Sequence, residues 1–215
     1  MQENAYLQEA RDREGDMTEI DYRTKYVYLD FFHPGSAWER IQENRVEGYL
    51  DSYEWVDCFT SIQRYKNAIK EEIEDDISPL FFDFDHEALD TSRIEACKVL
   101  NWLVLTFDLD QEEANLYFSG KKGFHLEIPY NTILLKPWDK NHLAYKKVAE
   151  YLIGTLKLNT LDLKIYSRRR VMRHPNTIHS GSGLHKTQLS FHEISSLTAE
   201  EIRNMAKTKR AWGLL

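Results

Sequence analysis

The sequence predicts an α+β fold, with strands in mixed or antiparallel sheets that are covered by helices on one face and open on the other. Short runs of alternating apolar and polar residues predict strands between residues 80 and 165. Longer runs with apolar residues three and four positions apart predict helices between and after them. Because only one side of each predicted strand is apolar, the other side of the sheet is free to carry functional groups.

Two helices are predicted to cover the sheet. One begins at Ser92, where Ser92 and Glu95 have the spacing of a capping box, and the other lies within residues 144–155. The same capping-box spacing predicts two further helix starts, Ser36 with Glu39 and Thr198 with Glu201. The residues expected on the buried faces are Ala96, Val99, Leu100, Leu103 and Phe107 in the first helix, and Ala144, Val148, Tyr151, Leu152 and Thr155 in the second.

The first predicted strand carries two carboxylates on one face. Successive side chains of a strand point to opposite sides, so Leu80, Phe82 and Phe84 share the apolar face, and Asp83 and Asp85 share the other. A rise of about 3.3 Å per residue separates the two carboxylates by about 7 Å along the strand, within reach of a shared cation. Such hard oxygen ligands suit Mg²⁺ or Mn²⁺. The alternative is that these residues end the strand and cap the following helix.

A glycine-rich turn follows in the chain. Residues 115–119 and 124–128 predict a hairpin joined by residues 120–123, with Phe124, Leu126 and Ile128 packing inward and His125 and Glu127 pointing the other way. The glycines allow backbone amides to approach a phosphate, and nearby side chains add a hydroxyl, positive charge and an imidazole. The residues that would bind the phosphates are Ser119, Lys121, Lys122, Gly123 and His125. The alternative is an ordinary basic hairpin turn.

A third group of polar residues follows position 160. Asp162 interrupts the aliphatic run of residues 161–165, which predicts a strand that buries its aliphatic side chains and projects Asp162 to the opposite face. The basic stretch after it suits contacts to a triphosphate or a nucleic-acid backbone, and a solvated basic loop is the alternative. Its members are Arg168, Arg169, Arg170, Arg173, His174, His179 and Lys186.

The composition is that of one folded domain over residues 1–215, with a core that carries the motifs over residues 79–192 and a less defined part over residues 1–78. The chain has a net charge of −7, 42% hydrophobic residues and 13% aromatic residues, which argues against intrinsic disorder. Its 2 cysteines exclude a disulfide scaffold and the usual Cys-rich zinc site. The charged first twenty residues and the short apolar stretches exclude a secretory signal and a membrane span, so we expect a cytoplasmic or nucleoid-associated protein.

The charge is unevenly distributed along the chain. The first 100 residues carry 24 acidic and 11 basic side chains, whereas basic side chains are in excess over the rest. The second half is therefore the better candidate for binding an anion. Solvated helix faces are the alternative explanation for this bias.

Together, and in this order, the three motifs resemble those of the archaeo-eukaryotic primase superfamily, which includes the small catalytic subunit of primase and the primase-polymerases. Asp83 and Asp85 match its first, metal-binding motif, and Asp162 matches its third metal ligand. The run Ser-Gly-Lys-Lys-Gly-Phe-His that begins at Ser119 matches its nucleotide-binding motif. The run Arg-His-Pro-Asn-Thr-Ile-His that begins at Arg173 and ends at His179 is similar to its triphosphate-binding stretch.

The resemblance implies an RRM-like catalytic core flanked by helices and an enzyme that transfers nucleotides under the direction of a template. Asp83, Asp85 and Asp162 would hold two divalent ions, Mg²⁺ or Mn²⁺, and Arg173 and His179 would bind phosphates with the residues of the turn. The implied partners are a single-stranded DNA template, nucleoside triphosphates (ribo- or deoxyribonucleotides) and a helicase or accessory primase domain, with no membrane. The activity would be primer synthesis or DNA extension in replication.

Two other functions fit the same residues. The Lys-Thr-Gly that many relatives carry after the last histidine is Gly-Ser-Gly at residues 181–183, and the zinc element is absent, which favours a non-catalytic replication initiator that binds nucleotide or single-stranded DNA. The presence of the three aspartates counts against it, since a pure binder does not need carboxylates that repel phosphate. An end-joining repair polymerase is the nearer alternative within the enzymes.

Overall fold

The computed structural model describes residues 26–69, 77–133 and 140–210. The strands in these ranges are β1 (Tyr28–Phe32), β2 (Glu39–Gln42), β3 (Phe59–Ser61), β4 (Leu80–Asp85), β5 (Asn115–Phe118), β6 (Gly123–Ile128), β7 (Val171–Arg173), β8 (Ile178–His179), β9 (Leu184–His185) and β10 (Thr187–Leu189). The helices are α1 (Val46–Ser52), α2 (Leu89–Phe107), α3 (Tyr130–Ile133), α4 (Asn141–Leu156), α5 (Phe191–Ser196) and α6 (Ala199–Met205).

The sheet that carries most of the motifs has the strand order β10-β5-β6-β4 and is antiparallel throughout. The predicted hairpin is confirmed, since β5 and β6 pair on either side of the glycine-rich turn. On the other edge of β6, β4 pairs in a register that sets Asp83 opposite His125 and Asp85 opposite Gly123. This register places the acidic pair directly beside the turn.

The apolar face of this sheet packs against α2 and α4, as predicted. Phe82, Phe84 and Phe124 are completely buried there. Burial of a large apolar side chain contributes about 1.5–3 kcal/mol. These aromatic residues therefore fix which face of β4 is internal, and with it the side on which the aspartates lie.

The two covering helices differ from prediction in detail. In α2, the expected residues from Ala96 to Leu103 are buried, but Phe107 at the last position is 67% exposed. In α4, the buried stripe runs through Tyr145, Ala149 and Leu152, whereas Tyr151, predicted to face inward, is 59% exposed. The sequence offers two overlapping apolar stripes on α4, and the one that fits the sheet is the stripe centred on Ala149, whose small side chain allows close approach.

Of the three predicted capping boxes, only one lies at a helix start. Thr198 and Glu201 make the reciprocal hydrogen bonds at the start of α6. Ser36 instead donates its hydroxyl to the His33 carbonyl in a turn, after which the chain pairs with β1 as β2. Ser92 lies inside α2, which begins three residues earlier, at Leu89. The predictions at Ser36 and Ser92 were therefore wrong.

The segment around Asp162, which was predicted as a strand, does not form one. Only Leu161 forms a bridge, to Phe84, and a 3-10 turn follows over Leu163–Ile165. The carboxylate of Asp162 accepts a hydrogen bond from the Lys164 backbone N–H at 2.8 Å. This local bond competes with strand pairing and caps the turn.

A second antiparallel sheet has the order β2-β1-β3-β7 and a small core of its own. Leu29, Phe31, Leu50 and Cys58 are its most deeply buried residues. Its edge strand β7 ends at Arg173, so this sheet brings the basic stretch toward the open face of the first sheet. Within the described part of the chain, no helix is both long and apolar enough to cross a membrane.

Candidate active site

The three aspartates lie at one end of the motif-bearing sheet. Asp83 and Asp85 are on the open face of β4, and the backbone N–H of Asp162 donates to the carbonyl oxygen of Asp83 at 2.8 Å. The neighbouring Asp85 N–H donates to the Thr160 carbonyl, also at 2.8 Å. The segment that contains Asp162 is therefore fastened along the end of β4.

Charge repulsion at this point is visible in Asp83. The pKa of Asp83 is raised to about 7, first by burial and then by the charges of Asp85 and Asp162, while Arg170 and Lys186 partly oppose the rise. A divalent cation would relieve this repulsion, and carboxylate oxygens are the ligands that Mg²⁺ and Mn²⁺ prefer. The donor set thus fits such an ion in chemical type.

The side chains are not already gathered around one point. Among the residues that the structure describes, no three acidic, histidine or cysteine side chains converge closely enough to hold one ion as they stand. Asp85 instead lies 3.5 Å from the ammonium of Lys122, and Asp162 caps its own turn. An ion at this site would require these two carboxylates to change rotamer.

The glycine-rich turn lies against the same end of β4. A side chain at Gly123 would meet the Phe84 carbonyl oxygen at 2.5 Å, so only glycine allows the two strands to approach this closely. Gly120 has a φ of +93°, in the region that favours glycine. Ser119 closes the turn, with its hydroxyl accepting from the Gly123 N–H at 3.1 Å.

The two lysines of the turn have different surroundings. Lys122 lies 3.0 Å from Glu87 and 3.5 Å from Asp85, and its pKa is raised by the hydrogen bond to Glu87 and by the charge of Asp85. Lys121 is exposed, and its carbonyl accepts a hydrogen bond from Arg203. Lys121 thus presents a charge to solvent at the turn, whereas Lys122 is already paired with carboxylates.

His125 is a buried imidazole beside Asp83. Its Nε2 lies 3.5 Å from the Asp83 carboxylate, its ring packs on Phe81, and its Nδ1 has no hydrogen-bond partner in the described part of the chain. Burial lowers the pKa of His125 well below its ordinary value, and the charges of Lys186 and Arg173 lower it further. The ring is therefore neutral at pH 7, and the short contact to Asp83 is not an ion pair.

A cleft of about 510 Å³ opens between the two sheets. Its walls include Phe81 and Tyr117 from the first sheet, Thr60 and Arg173 from the second, and Lys186 just before β10. The three aspartates are not among its lining residues. The cleft lies instead further along the same face of β4, where Phe81 is two positions from Asp83.

The basic stretch meets both the cleft and the turn. Arg173 donates to the Asp57 carboxylate at 2.7 Å and lines the cleft. The Cβ of His179 lies 3.4 Å from where a Cβ at Gly120 would be, and Ser182 donates its hydroxyl to the Gly120 carbonyl at 2.5 Å. The structure thus brings the predicted residues of all three motifs to one region of the molecule.

Three further residues outside the predicted site hold its segments in place. Lys186 is a buried cation whose Nζ donates to the Arg173 carbonyl at 2.9 Å; burial lowers its pKa to about 8, against the opposing charges of Glu127 and Asp83. Glu95 accepts hydrogen bonds from the backbone N–H groups of residues 159 and 160. Asp57 binds Arg173. Lys186 had a signal in the sequence as the last member of the basic stretch, and Glu95 had one only as part of a capping-box pattern, which indicated a different role.

The comparisons with known proteins bear on the fold. No family model matches the chain, and no curated protein matches it in sequence. Among solved structures, the polymerase domain of ligase D from Mycobacterium tuberculosis, in complex with DNA, is similar with a TM-score of 0.54 and 14% identity. The match covers 88% of this chain and 72% of that chain. The predicted α+β class is confirmed: this chain has antiparallel sheets flanked by helices and shares the fold of that polymerase domain.

Proposed function

We propose that the protein is a template-dependent nucleotidyltransferase of the archaeo-eukaryotic primase superfamily, a DNA primase or primase-polymerase. The observation that carries the proposal is the fastening of Asp162 to Asp83 at the end of β4, next to a glycine-rich turn. This arrangement combines clustered carboxylates with backbone and side-chain donors for phosphate. The similarity to a polymerase domain in complex with DNA supports it.

In this proposal Asp83, Asp85 and Asp162 hold two divalent ions, Mg²⁺ or Mn²⁺. Such ions lower the pKa of an attacking hydroxyl and neutralise charge on the triphosphate and the departing pyrophosphate. The aspartates contribute position and negative charge. Asp83 lies on a strand between buried aromatic residues, and its side chain is 15% exposed against 42% for Asp85; Asp85 and Asp162 would have to turn away from Lys122 and the 3-10 turn.

The phosphates of the nucleotide would bind along the turn and the basic stretch. Ser119, Lys121, Lys122 and Gly123 supply donors and charge at the turn. His125, whose buried Nδ1 has no hydrogen-bond partner among the described residues, would supply a further hydrogen bond once its ring is opened to the ligand, and Arg173 and His179 would add donors from the basic stretch. A single-stranded DNA template, and a helicase or accessory primase domain, are the macromolecular partners that we propose.

A non-catalytic module that binds nucleotide or single-stranded DNA is a second candidate. The observation that favours it is that the three carboxylates do not converge within the described residues. A binder would keep the phosphate-binding turn and have no requirement for ions at the aspartates. The two proposals therefore differ in what happens when the aspartates are replaced.

Product analysis separates these possibilities. The protein is incubated with labelled nucleotides, Mg²⁺ or Mn²⁺, and either an unprimed or a primed single-stranded template. Products without a primer indicate a primase, products only with a primer indicate a polymerase, and a requirement for a 5′-phosphate on the downstream strand indicates end-joining repair. Nucleotide binding without any product would reject the enzyme and favour the binder.

Replacement of Asp83 and Asp85 by Ala tests the residues themselves. We expect incorporation to fall by several orders of magnitude, since the proposed chemistry depends on the ions. Glu150→Ala, which removes an exposed carboxylate of α4, is the control and should retain parental activity. Incorporation near the parental level by the Asp83 and Asp85 variants would reject the metal assignment.

A further inference from the structure

A loop outside the predicted motifs runs beside the basic stretch. Residues 54–58 lie along residues 174–180, and the two segments exchange backbone hydrogen bonds. Ile178 donates its N–H to the Trp55 carbonyl at 2.7 Å, and its own carbonyl accepts from the Asp57 N–H at 2.9 Å. Backbone hydrogen bonds to this loop therefore hold the basic stretch in position.

This loop has an uncommon backbone conformation. Glu54, Trp55 and Asp57 have φ angles of 50°, 59° and 47°, in the left-handed region that residues with a side chain seldom adopt. Such conformations persist where the surroundings over-determine them, and they are concentrated at functional sites. In this loop, the left-handed backbone determines where the carboxylate of Asp57 lies.

Within the described part of the chain, the hydrogen bonds that Asp57 accepts on its carboxylate come from the basic stretch. Its Oδ1 accepts from Nη1 of Arg173 at 2.7 Å and from the backbone N–H of Ser180 at 3.2 Å. The side chain of Asp57 is only 17% exposed and that of Arg173 only 10%, so this ion pair is well shielded from solvent. Burial acts to raise the pKa of Asp57, but the hydrogen bonds from Ser180 and Arg173 outweigh it and lower the pKa, so the carboxylate is ionised at neutral pH.

Arg173 is consequently fixed on the wall of the cleft. Its Nη1 also donates to the Ile178 carbonyl at 3.0 Å, and its guanidinium lies 4.8 Å from the ring centre of Phe59. An arginine held by a carboxylate, a carbonyl and a ring has few other orientations. The same carboxylate holds Ser180, next to His179.

We propose that Asp57 is a positioning residue, which holds Arg173 and the turn at Ser180 in the arrangement that binds the phosphates of a nucleotide. The proposal rests on the proposed function for the identity of the ligand. It assigns a role to a residue in none of the predicted motifs.

The direction in which polyphosphate affinity changes when Asp57 is removed distinguishes a positioning role from a purely electrostatic one. A carboxylate near a polyphosphate repels it, so removal of Asp57 should tighten binding if the charge alone mattered. If Asp57 positions Arg173, its removal should weaken binding although a repulsive charge is lost. The effect should also vanish when Arg173 is absent, because the two residues act as a unit.

The test measures binding of inorganic tripolyphosphate by calorimetry, and incorporation of dATP on a primed template, for the parent and five variants. These are Asp57→Ala, Asp57→Asn, Arg173→Ala, the double variant Asp57→Ala with Arg173→Ala, and the control Asp51→Asn. Asp51 is in the same region and accepts a hydrogen bond from the Trp55 indole, but it makes no contact with Arg173. Thermal unfolding of each variant identifies any that fail to fold, and Asp57→Asn, which keeps the shape and one acceptor, provides a milder change.

We expect Asp57→Ala to weaken tripolyphosphate binding about tenfold and Asp57→Asn less, since the amide can still accept from Ser180. The double variant should bind no more weakly than Arg173→Ala, and Asp51→Asn should match the parent. Unchanged or tighter binding by folded Asp57→Ala, additive losses in the double variant, or a parent that does not bind tripolyphosphate would each overturn the proposal. Incorporation is read separately: a parent that binds tripolyphosphate but incorporates no dATP refutes nucleotidyl transfer, while the comparison of the variants still decides the role of Asp57.

Discussion

The backbone N–H of Asp162 donates to the carbonyl oxygen of Asp83, and this bond is held in place from the opposite side of the sheet. The preceding residues, 159 and 160, donate their backbone N–H groups to the carboxylate of Glu95, which lies on α2. The Thr160 hydroxyl donates to the same carboxylate at 2.8 Å. A buried acid of a covering helix thus determines where a proposed metal ligand lies on the open face.

Replacement of Glu95 by Ala should therefore affect both stability and activity. The backbone N–H and the hydroxyl of Thr160 would lose their acceptor in a buried place, and the N–H of residue 159 would lose it in a partly buried one, which costs about 2–4 kcal/mol in all. Denaturant unfolding measures this loss, and incorporation per folded molecule measures the displacement of Asp162. Glu150→Ala, at an exposed position of α4, should change stability by less than about 0.5 kcal/mol. Unaltered incorporation by folded Glu95→Ala would contradict the link between the helix and the site.

Gly123→Ala should destabilise the hairpin. The added Cβ would lie 2.5 Å from the Phe84 carbonyl oxygen, a backbone atom that cannot move without separating β4 from β6. We expect a loss of about 2 kcal/mol or more, typical of an overpacked interior. Gly154→Ala, in the open on α4, is the matched control and should stabilise the helix by about 0.5–1 kcal/mol. Equal effects at the two glycines would show that β4 and β6 are not this close.

Stability should fall on the acid side of neutrality because of His174. Burial lowers the pKa of His174 to about 4, partly opposed by a hydrogen bond to the Pro175 carbonyl. The unfolded chain therefore binds a proton more readily than the folded chain between about pH 6.5 and 4, and stability is lost progressively as the pH falls through that window. Thermal unfolding across this range should show a smaller pH dependence for His174→Gln than for the parent. His192→Gln, which changes an exposed histidine, should follow the parent curve; a parental curve for His174→Gln would contradict the assignment.

The elements that the sequence predicted best are those in which local pattern and packing agree. The alternation of residues 80–85 fixed the internal face of β4, because Phe82 and Phe84 bury large areas and a shift by one residue would expose them. The turn of the hairpin followed from its glycines. The buried face of α4 could not be predicted in the same way. Tyr151 and Tyr145 offer similar apolar area, and only the shape of the sheet decides which of them is buried.

The contacts that arrange the candidate site depend on residues far apart in the chain. Asp57 and Arg173 are 116 positions apart, and Glu95 and Thr160 are 65 apart. No local signal marks Asp57, which lies between aromatic residues and a cysteine. Glu95 did carry a signal, as the last residue of a capping-box pattern, but the pattern indicated a different role because α2 begins earlier at Leu89.

Replacement of Asp83 by Asn should stabilise the protein without metal and abolish its response to metal. The pKa of Asp83 is raised to about 7 by burial and then by Asp85 and Asp162, so the folded state holds this proton more tightly than the unfolded state. Ionisation of Asp83 therefore lowers the free energy of unfolding of the parent. This loss is absent below the ordinary pKa of an aspartate and complete above about pH 7. Asp83→Asn removes this loss, and we expect it to be about 1–3 kcal/mol more stable than the parent at pH 8, with the difference shrinking toward pH 4.

Added Mn²⁺ should reverse this order. A cation that binds the carboxylates of the folded state alone stabilises the parent by mass action, and the Asn variant has lost the central ligand. Thermal unfolding at pH 8 with and without Mn²⁺ measures both effects, with Glu150→Gln as a control for the loss of an exposed carboxylate. If Mn²⁺ raised the unfolding temperatures of the parent and Asp83→Asn equally, the ion would be binding elsewhere. The destabilisation caused by the ionised Asp83 carboxylate would then have no connection with metal binding.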